Sequence, residues 1–445
     1  MKYLSTLIIS LLFLTQGCAS SSTHPHPTNS TTLLWISIDG LKGAYIQDPI
    51  ARTQRVRGSS DDQDPTPFLS SLLSHSYYSR QLIPIFPSLT FPSHSAEATG
   101  VPASQHGITS NTFYDPATHQ KYSFPDDPRL LQSEPIWLTA PRQHVRTAVI
   151  DWPLSNHPSL LPAGTPLPDY SSETYNNDLT DTQRLGHLAD LYAADFTTHP
   201  NGPPLRLLMG YIHAVDTAGH RFGPDSPEIT QTLRATDEVL HTAILRIAAT
   251  FDAHSHPGDS LYILLTADHG MSTVTSNTNL QSLLGDSLPA SATSVTSGPL
   301  ANIYLDQLPP NERASAIHEI LSRLAPAQRA GLSYWTPSTL PKDFSYNNPR
   351  SGDLILMLPN HQTFHTPSHT PSLPPKGMHG YTPTLTPDMQ AFTLLCPLRS
   401  PHPLTRPINL GPLDSLRLEP TAAHLLDITP NPQAIKNPIP TIPNN

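Results

Sequence analysis

The sequence predicts an α/β fold with a mostly parallel central sheet, helices on both faces and a smaller inserted cap region. Three observations predict it. Continuous apolar runs, characteristic of strands buried on both faces, end in Asp-Gly or Asp-His-Gly. Helical patterns alternate with these runs, as parallel sheets require. Residues 272–378 then break the alternation, reading as an insertion that returns to the core near His379.

In chain order, Met1-Lys2 and the short apolar run Leu4–Leu14, followed by Gln16-Gly17-Cys18-Ala19, read as an export leader over residues 1–18. The run is too short to span a bilayer. Cys18 after Gly17 has the pattern of a lipid-acceptor cysteine, although Thr15 stands where Leu is usual. The chain is therefore expected to be exported, periplasmic or in the cell envelope, with membrane contact only through an N-terminal lipid. Residues 19–31, rich in Ser, Thr, His and Pro, read as a flexible linker. A catalytic domain is expected over 32–430. Its strands are Leu33–Ile38, Val145–Ile150, Leu205–Ile212 and Leu261–Thr266. Its helices are Pro67–Leu73, Thr180–Asp195 and Glu228–Phe251. Within the insertion, Leu300–Leu305 and Asp353–Leu358 are strand-like and Asn311–Leu324 is helical. Residues 431–445, rich in Pro and Asn, read as a disordered tail.

Composition narrows the function. The 445 residues include 51 prolines and only 13 % charged residues, so long, turn-rich connections are expected. The net charge of −10 offers no basic face for a nucleic-acid polymer. Beyond Cys18 only Cys396 remains, in an apolar run. It reads as an inert core thiol, and no disulfide can form within one mature chain.

Five short motifs carry the chemistry: Ile38-Asp39-Gly40, Leu89-Thr90-Phe91-Pro92, Asp216-Thr-Ala-Gly-His220, Asp268-His269-Gly270 and His379-Gly380-Tyr381. Each alone has a duller reading, such as a turn, a surface ion pair or a loop histidine. Together they supply three Asp, three His and a hydroxyl. Asp39 and Asp268-His269 follow buried strands, where sheets of this kind place their sites. Asp216 and His220, four apart, share a face on one helical turn. Oxygen and nitrogen donors without sulfur suit zinc, with manganese or iron as alternatives. Two such ions about 4 Å apart suit in-line displacement at phosphorus. Thr90 is the candidate nucleophile. Ser88, Ser93 and Ser95 are competitors that spacing alone does not separate.

The ordered segments resemble the nucleotide pyrophosphatase/phosphodiesterase family of the alkaline phosphatase superfamily, from about Leu33 to Pro397. The resemblance is carried by Thr90-Phe-Pro-Ser-His94, Ala98-Thr-Gly100, His106-Gly-Ile108, Ser110-Asn111-Thr-Phe-Tyr-Asp115, Glu134-Pro-Ile-Trp137, Trp152-Pro-Leu-Ser155, Gly219-His220 to Asp225, Ala267 to Met271 and His379-Gly-Tyr381. It implies an alkaline-phosphatase-like core and two Zn²⁺ ions. One would be held by Asp216, His220 and His379, the other by Asp39, Asp268, His269 and the Thr90 oxygen. It implies hydrolysis of nucleotide phosphodiester or pyrophosphate bonds through a phosphothreonine at Thr90. Asn111 and the Phe91 N–H would hold a non-bridging oxygen, and Phe91 and Tyr211 would sandwich the nucleobase. A phosphomonoesterase, or a hydrolase of phospholipid or other diesters on the same scaffold, is the alternative. Lys42 and Arg221 are the nearby cations to weigh for an added monoester charge. Departures from the family pattern are Ser93 in place of Asn, and His213 and Val215 in place of Glu and Pro. They leave substrate preference open.

Overall fold

The computed structural model describes residues 29–48, 64–324, 331–365 and 374–439. The expected leader, Cys18 and linker residues 19–28 lie outside them, as do tail residues 440–445. No described helix is long and apolar enough to cross a membrane.

The body is one nine-stranded mixed sheet. Its strands are β1 (Thr31–Ile38), β2 (Tyr77–Ile83), β3 (Thr147–Val149), β4 (Tyr170–Ser171), β5 (Leu207–Ile212), β6 (Ser260–Thr266), β7 (Ala391–Arg399), β8 (Ile408–Asn409) and β9 (Leu413–Asp414). The order is β8-β2-β7-β6-β1-β5-β3-β4, with β9 also beside β2. β1 runs parallel to both neighbours, β5 and β6. Only β7 is antiparallel, between β6 and β2. Every residue of β1, β5 and β6 is buried, the condition under which parallel strands read as unbroken apolar runs. The helices Asp181–Thr198 and Pro227–His254 pack together, and Leu185 and Leu188 lie against Gly210 of β5. Cys396 on β7 is buried, and burial pushes its thiol upward.

The segment 293–357 forms a separate four-stranded antiparallel sheet, ordered 293–297, 300–304, 354–357 and 333–335. Ile303, Leu305, Leu354 and Leu356 pack with Ile320 of the Pro310–Arg323 helix in a core of their own. Phe86, stacked on Phe344 and edge-on to Trp335 and Tyr346, joins this layer to the loop before Thr90.

The expectation of a disordered tail fails for residues 431–439. Asn431 is buried, and its amide donates to Thr99 O, Ser133 Oγ and Glu134 O at 2.8, 2.8 and 3.1 Å. Ile435 N donates to Gly100 O, and Ile439 enters the main core. Composition hid this because one amide and one apolar side chain dock the segment. Asn431→Ala would leave these groups unpaired and lower stability by about 1–3 kcal/mol, read as a reduced urea midpoint.

Candidate active site

The sheet assembles the site at one edge. The β1 register places Ile38 beside Ile212 and Ser37 beside Thr266, bringing Asp39 and Asp268 to the same C-terminal end. Asp39 N donates to Ile212 O, and Asp216 N donates to Asp39 O. The helix Ala214–Phe222 therefore starts against the Asp39 turn and presents Asp216 and His220 one turn apart. Gly40 permits this approach. Its φ is +70°, and a Cβ there would lie 2.9 Å from Asp216 Cα. Because β7 is antiparallel, its N-terminal end shares this edge, and the loop preceding it supplies His379.

Thr90 is the first residue of a helix, Thr90–Thr99, that sequence patterning did not mark. From Pro92 to Thr99 every residue is buried, so no amphipathic period exists. Thr90 Oγ1 lies 3.3 Å from His269 Nε2. Of its rivals, Ser88 Oγ donates to Tyr381 O at 2.7 Å, whereas Ser93 and Ser95 are wholly buried. Among these hydroxyls only Thr90's borders the cavity described below.

All six expected ligands converge. His269 Nε2 lies 3.0 Å from Asp268 Oδ2 and 3.3 Å from Asp39 Oδ1. Asp216 Oδ1 lies 3.3 Å from His220 Nε2 and 3.6 Å from His379 Nε2. Two groupings could each hold a cation: Asp216 with His220 and His379, and Asp39 with Asp216 and His269. The first is the triad implied by resemblance. In the second, Asp216 approaches as a shared carboxylate, while Asp268 meets His269.

The imidazoles fit a metal by their tautomers. Nδ1 of His220 contacts Gly377 O at 2.8 Å, that of His269 Gly270 O at 2.9 Å, and that of His379 Ser88 O at 3.1 Å. A carbonyl can only accept, so each Nδ1 carries the proton and each Nε2 lone pair faces the carboxylates. Asp39 Oδ1, Asp216 Oδ1 and Asp268 Oδ2 are buried atoms without a hydrogen bond among the described residues. Burial pushes the Asp39 and Asp268 carboxyls well above the usual range; repulsion from Asp268 and then Asp216 adds to this at Asp39, and repulsion from Asp216 adds to it at Asp268. Burial and the neighbouring imidazoles push His379 well below its own. Unpaired lone pairs and crowded carboxylates are the donor set a cation needs.

Two residues have supporting roles that the sequence did not report. Tyr211, read as a base-stacking residue, donates its hydroxyl to Asp39 Oδ2, which leaves Oδ1 toward His269. His94 is fully buried, and burial lowers it to about 3, so it is neutral. Its Nδ1 donates to Thr90 O at 2.9 Å, so its Nε2 accepts from Ser37 Oγ at 2.8 Å. The 3.3 Å approach of His94 Nδ1 to Asp268 Oδ2 is therefore not an ion pair.

A cavity of about 570 Å³ opens beside Asp39, Thr90 and Asp216. Phe91, Phe124, Tyr175, Asn156, Asn177 and His213 are among its lining residues. Tyr211 borders it too, but the ring is buried edge-to-face on His94 and its hydroxyl is tied. The half-buried aromatic missed by sequence is Tyr175, beneath which lies the Arg184 guanidinium at 4.8 Å. The Phe91 N–H is not a free phosphate donor as expected, since it donates to Asn111 Oδ1 at 2.9 Å. Asn111 is buried and is not among the residues lining the cavity. Thr90's own N–H, at the helix start, makes no hydrogen bond among the described residues. Lys42 pairs with Asp388, and exposed Arg221 lies on Phe222; neither borders the cavity.

An α/β sheet carrying paired oxygen–nitrogen ligand groups and a hydroxyl at one edge is the plan of a metal-dependent phosphoester hydrolase. The sequence profile described as Type I phosphodiesterase / nucleotide pyrophosphatase matches residues 33–382. The chain belongs to that family, within the alkaline phosphatase superfamily. It is 28 % identical over 420 residues to an uncharacterized pyrophosphatase/phosphodiesterase of Schizosaccharomyces pombe, covering 90 % of this chain and 78 % of that protein. It is 27 % identical to the rat ectonucleotide pyrophosphatase/phosphodiesterase family member 1, covering 56 % of this chain but only 25 % of that protein. The fold matches murine ectonucleotide pyrophosphatase/phosphodiesterase 5, an inactive variant in complex with AMP. The TM-score is 0.72 at 20 % identity, over 90 % of this chain and 96 % of that one.

Tyr211→Phe would release the Asp39 carboxylate. Affinity for a divalent metal, measured by chelator competition, should fall about 10–100-fold.

Proposed function

We propose that the protein hydrolyses phosphodiester or pyrophosphate bonds of nucleotides and releases nucleoside monophosphates, with two zinc ions as cofactors and Thr90 as nucleophile. The observation that carries this reading is the common tautomer of His220, His269 and His379, which turns three Nε2 lone pairs toward the carboxylates of Asp39, Asp216 and Asp268. Zinc is favoured by the nitrogen and oxygen donor set, and when bound would supply Lewis-acid stabilisation of charge on the phosphate oxygens. Asp216, His220 and His379 would hold one ion; Asp39, Asp268 and His269 would hold the other beside Thr90.

The chain's own groups account for the rest. His94 holds the Thr90 carbonyl, Asn111 holds the Phe91 N–H, and the start of the helix is thereby fixed. Thr90 Oγ1 gives up its proton to solvent and bonds to phosphorus as the bond to the leaving oxygen breaks. Water then bonds to phosphorus as the phosphorus–Oγ1 bond breaks, a water proton returns to Oγ1, and the nucleoside monophosphate leaves. In this reading Asn111 Nδ2 and the Thr90 N–H would stabilise a non-bridging oxygen, each typically contributing on the order of 3 kcal/mol. Phe91 and Tyr175 on the cavity wall suit a nucleobase, since aromatic stacking tolerates any base. The AMP held by the murine relative supports the same substrate class. The absence of Lys or Arg among the residues lining the cavity favours a diester over the more highly charged monoester. We infer from the leader pattern around Cys18 that this activity is exported, periplasmic or in the cell envelope.

Thr90→Ala should retain bound zinc by elemental analysis and lose aryl-diester turnover by on the order of 10³-fold or more. Chelation should abolish wild-type activity and zinc restore it; indifference to chelators would remove the two-metal reading. Wild-type kcat/KM should be higher for an aryl nucleotide diester than for the matching aryl monoester. The reverse order would make the enzyme a phosphomonoesterase.

A further inference from the structure

We propose that Arg184 is a positioning residue for the substrate cavity: without touching a ligand, its buried guanidinium fastens two loops of the cavity wall and sets the plane of the Tyr175 ring. The inference rests on the diesterase reading above, in which Tyr175 stacks on the nucleobase.

Arg184 stands near the start of the Asp181–Thr198 helix. A capping box between Thr180 and Gln183 fixes that start, and Leu185 and Leu188 seat the helix on Gly210 of β5. The side chain therefore leaves from a rigid base. Its guanidinium is wholly buried and is not among the residues lining the cavity. Nε donates to Asp151 Oδ2 at 2.9 Å, Nη1 to Leu179 O at 2.7 Å and Nη2 to Asn176 O at 2.6 Å. Nη1 also lies 3.4 Å from Asp181 Oδ1 and 3.1 Å from His213 Nδ1. A planar fork that reaches acceptors in several directions is a property of arginine that lysine lacks.

Both loops so held line the cavity. The first supplies Asp151, Pro153, Leu154 and Asn156. Asp151 and Leu154 have φ of +57° and +67°, left-handed values that residues with side chains keep only where their surroundings impose them. The Arg184–Asp151 pair is that restraint at the loop's first residue. The second loop, 172–180, is neither strand nor helix, and Glu173, Thr174, Asn176, Asn177 and Asp178 are exposed. It supplies Tyr175 and Asn177. Its ties are polar: the Tyr175 N–H donates to Asp126 Oδ2 at 3.1 Å, and Arg184 takes two of its carbonyls. The same guanidinium lies over the Tyr175 ring, 4.8 Å from its centroid, which occupies one face and fixes the plane of the other. Loss of the fork would free the ring and weaken binding of a flat aromatic group, while a substrate without one would be affected far less.

The test compares the zinc-loaded wild type, Arg184→Lys, Tyr175→Ala and the double variant on two diesters: the 4-nitrophenyl ester of thymidine 5′-monophosphate, and methyl 4-nitrophenyl phosphate, which lacks the nucleoside. Arg184→Lys keeps the charge beside Asp151 and removes the fork. Its loss in kcat/KM should be about tenfold greater on the nucleotide ester, and the excess should lie in KM. Tyr175→Ala should show the same selective loss, and the double variant should lose little more, because both changes remove one stacking surface. Should Arg184→Lys not fold, as read by zinc content and thermal midpoint, Arg184→Gln combined with Asp151→Asn removes both charges of the pair and takes its place with the same expectation. No loss, equal losses on both substrates, a loss confined to kcat, or losses that add in full would overturn the role of Arg184. A wild type that cleaves neither substrate would overturn the diesterase reading itself.

Discussion

Three carboxylates drawn to one sheet edge are the constraint on which the rest of the structure turns. Left alone, Asp39, Asp216 and Asp268 repel one another where little water can screen them, and folding would oppose their approach. The fold brings them together all the same and surrounds them with groups that fix their direction. The Tyr211 hydroxyl and the Gly40 N–H each hold one carboxylate oxygen, and three backbone carbonyls hold three imidazoles. What remains unpaired points inward. A cation is the one partner that meets all of these lone pairs at once.

The sheet makes that convergence possible at low strain. β1, flanked by two parallel neighbours, delivers the turns after β1, β5 and β6 to a common edge. The reversed strand β7 brings the loop preceding it, with His379, to the same place. The body of the sheet stays apolar, so the polar cost is confined to residues just beyond the strand ends. The Thr90–Thr99 helix is the exception. It is buried on all sides and held by polar contacts at both ends, with Asn111 at its start and Asn431 at its close.

These physical differences explain what could be read beforehand. Asp39 and Asp268-His269 were legible because unbroken apolar runs announce doubly buried strands. Asp216 and His220 were legible from their spacing on one turn. The Thr90–Thr99 helix was not, because burial on every side removes the periodicity that marks a helix. The family resemblance implied Tyr211 as a base-stacking residue, but it does not report that its hydroxyl is tied to Asp39. Tyr175 comes from a loop whose position depends on Arg184, and such a distant tertiary contact leaves no local pattern. His94 was quoted within a motif, but its role depends on Ser37, remote in sequence. The tail after Asn431 looked like a disordered segment because Pro and Asn dominate it, although the Asn431 amide and the Ile439 side chain dock residues 431–439.

Asp216 belongs to both candidate ligand groups. On the two-ion reading proposed above, a carboxylate within reach of both positions would make them thermodynamically dependent, because the first cation would withdraw part of the Asp216 charge from the second. Loading would then be a coupled equilibrium, and the half-loaded protein a distinct species with its own affinity. A chain starved of metal would therefore not divide into full and empty molecules in simple proportion to supply.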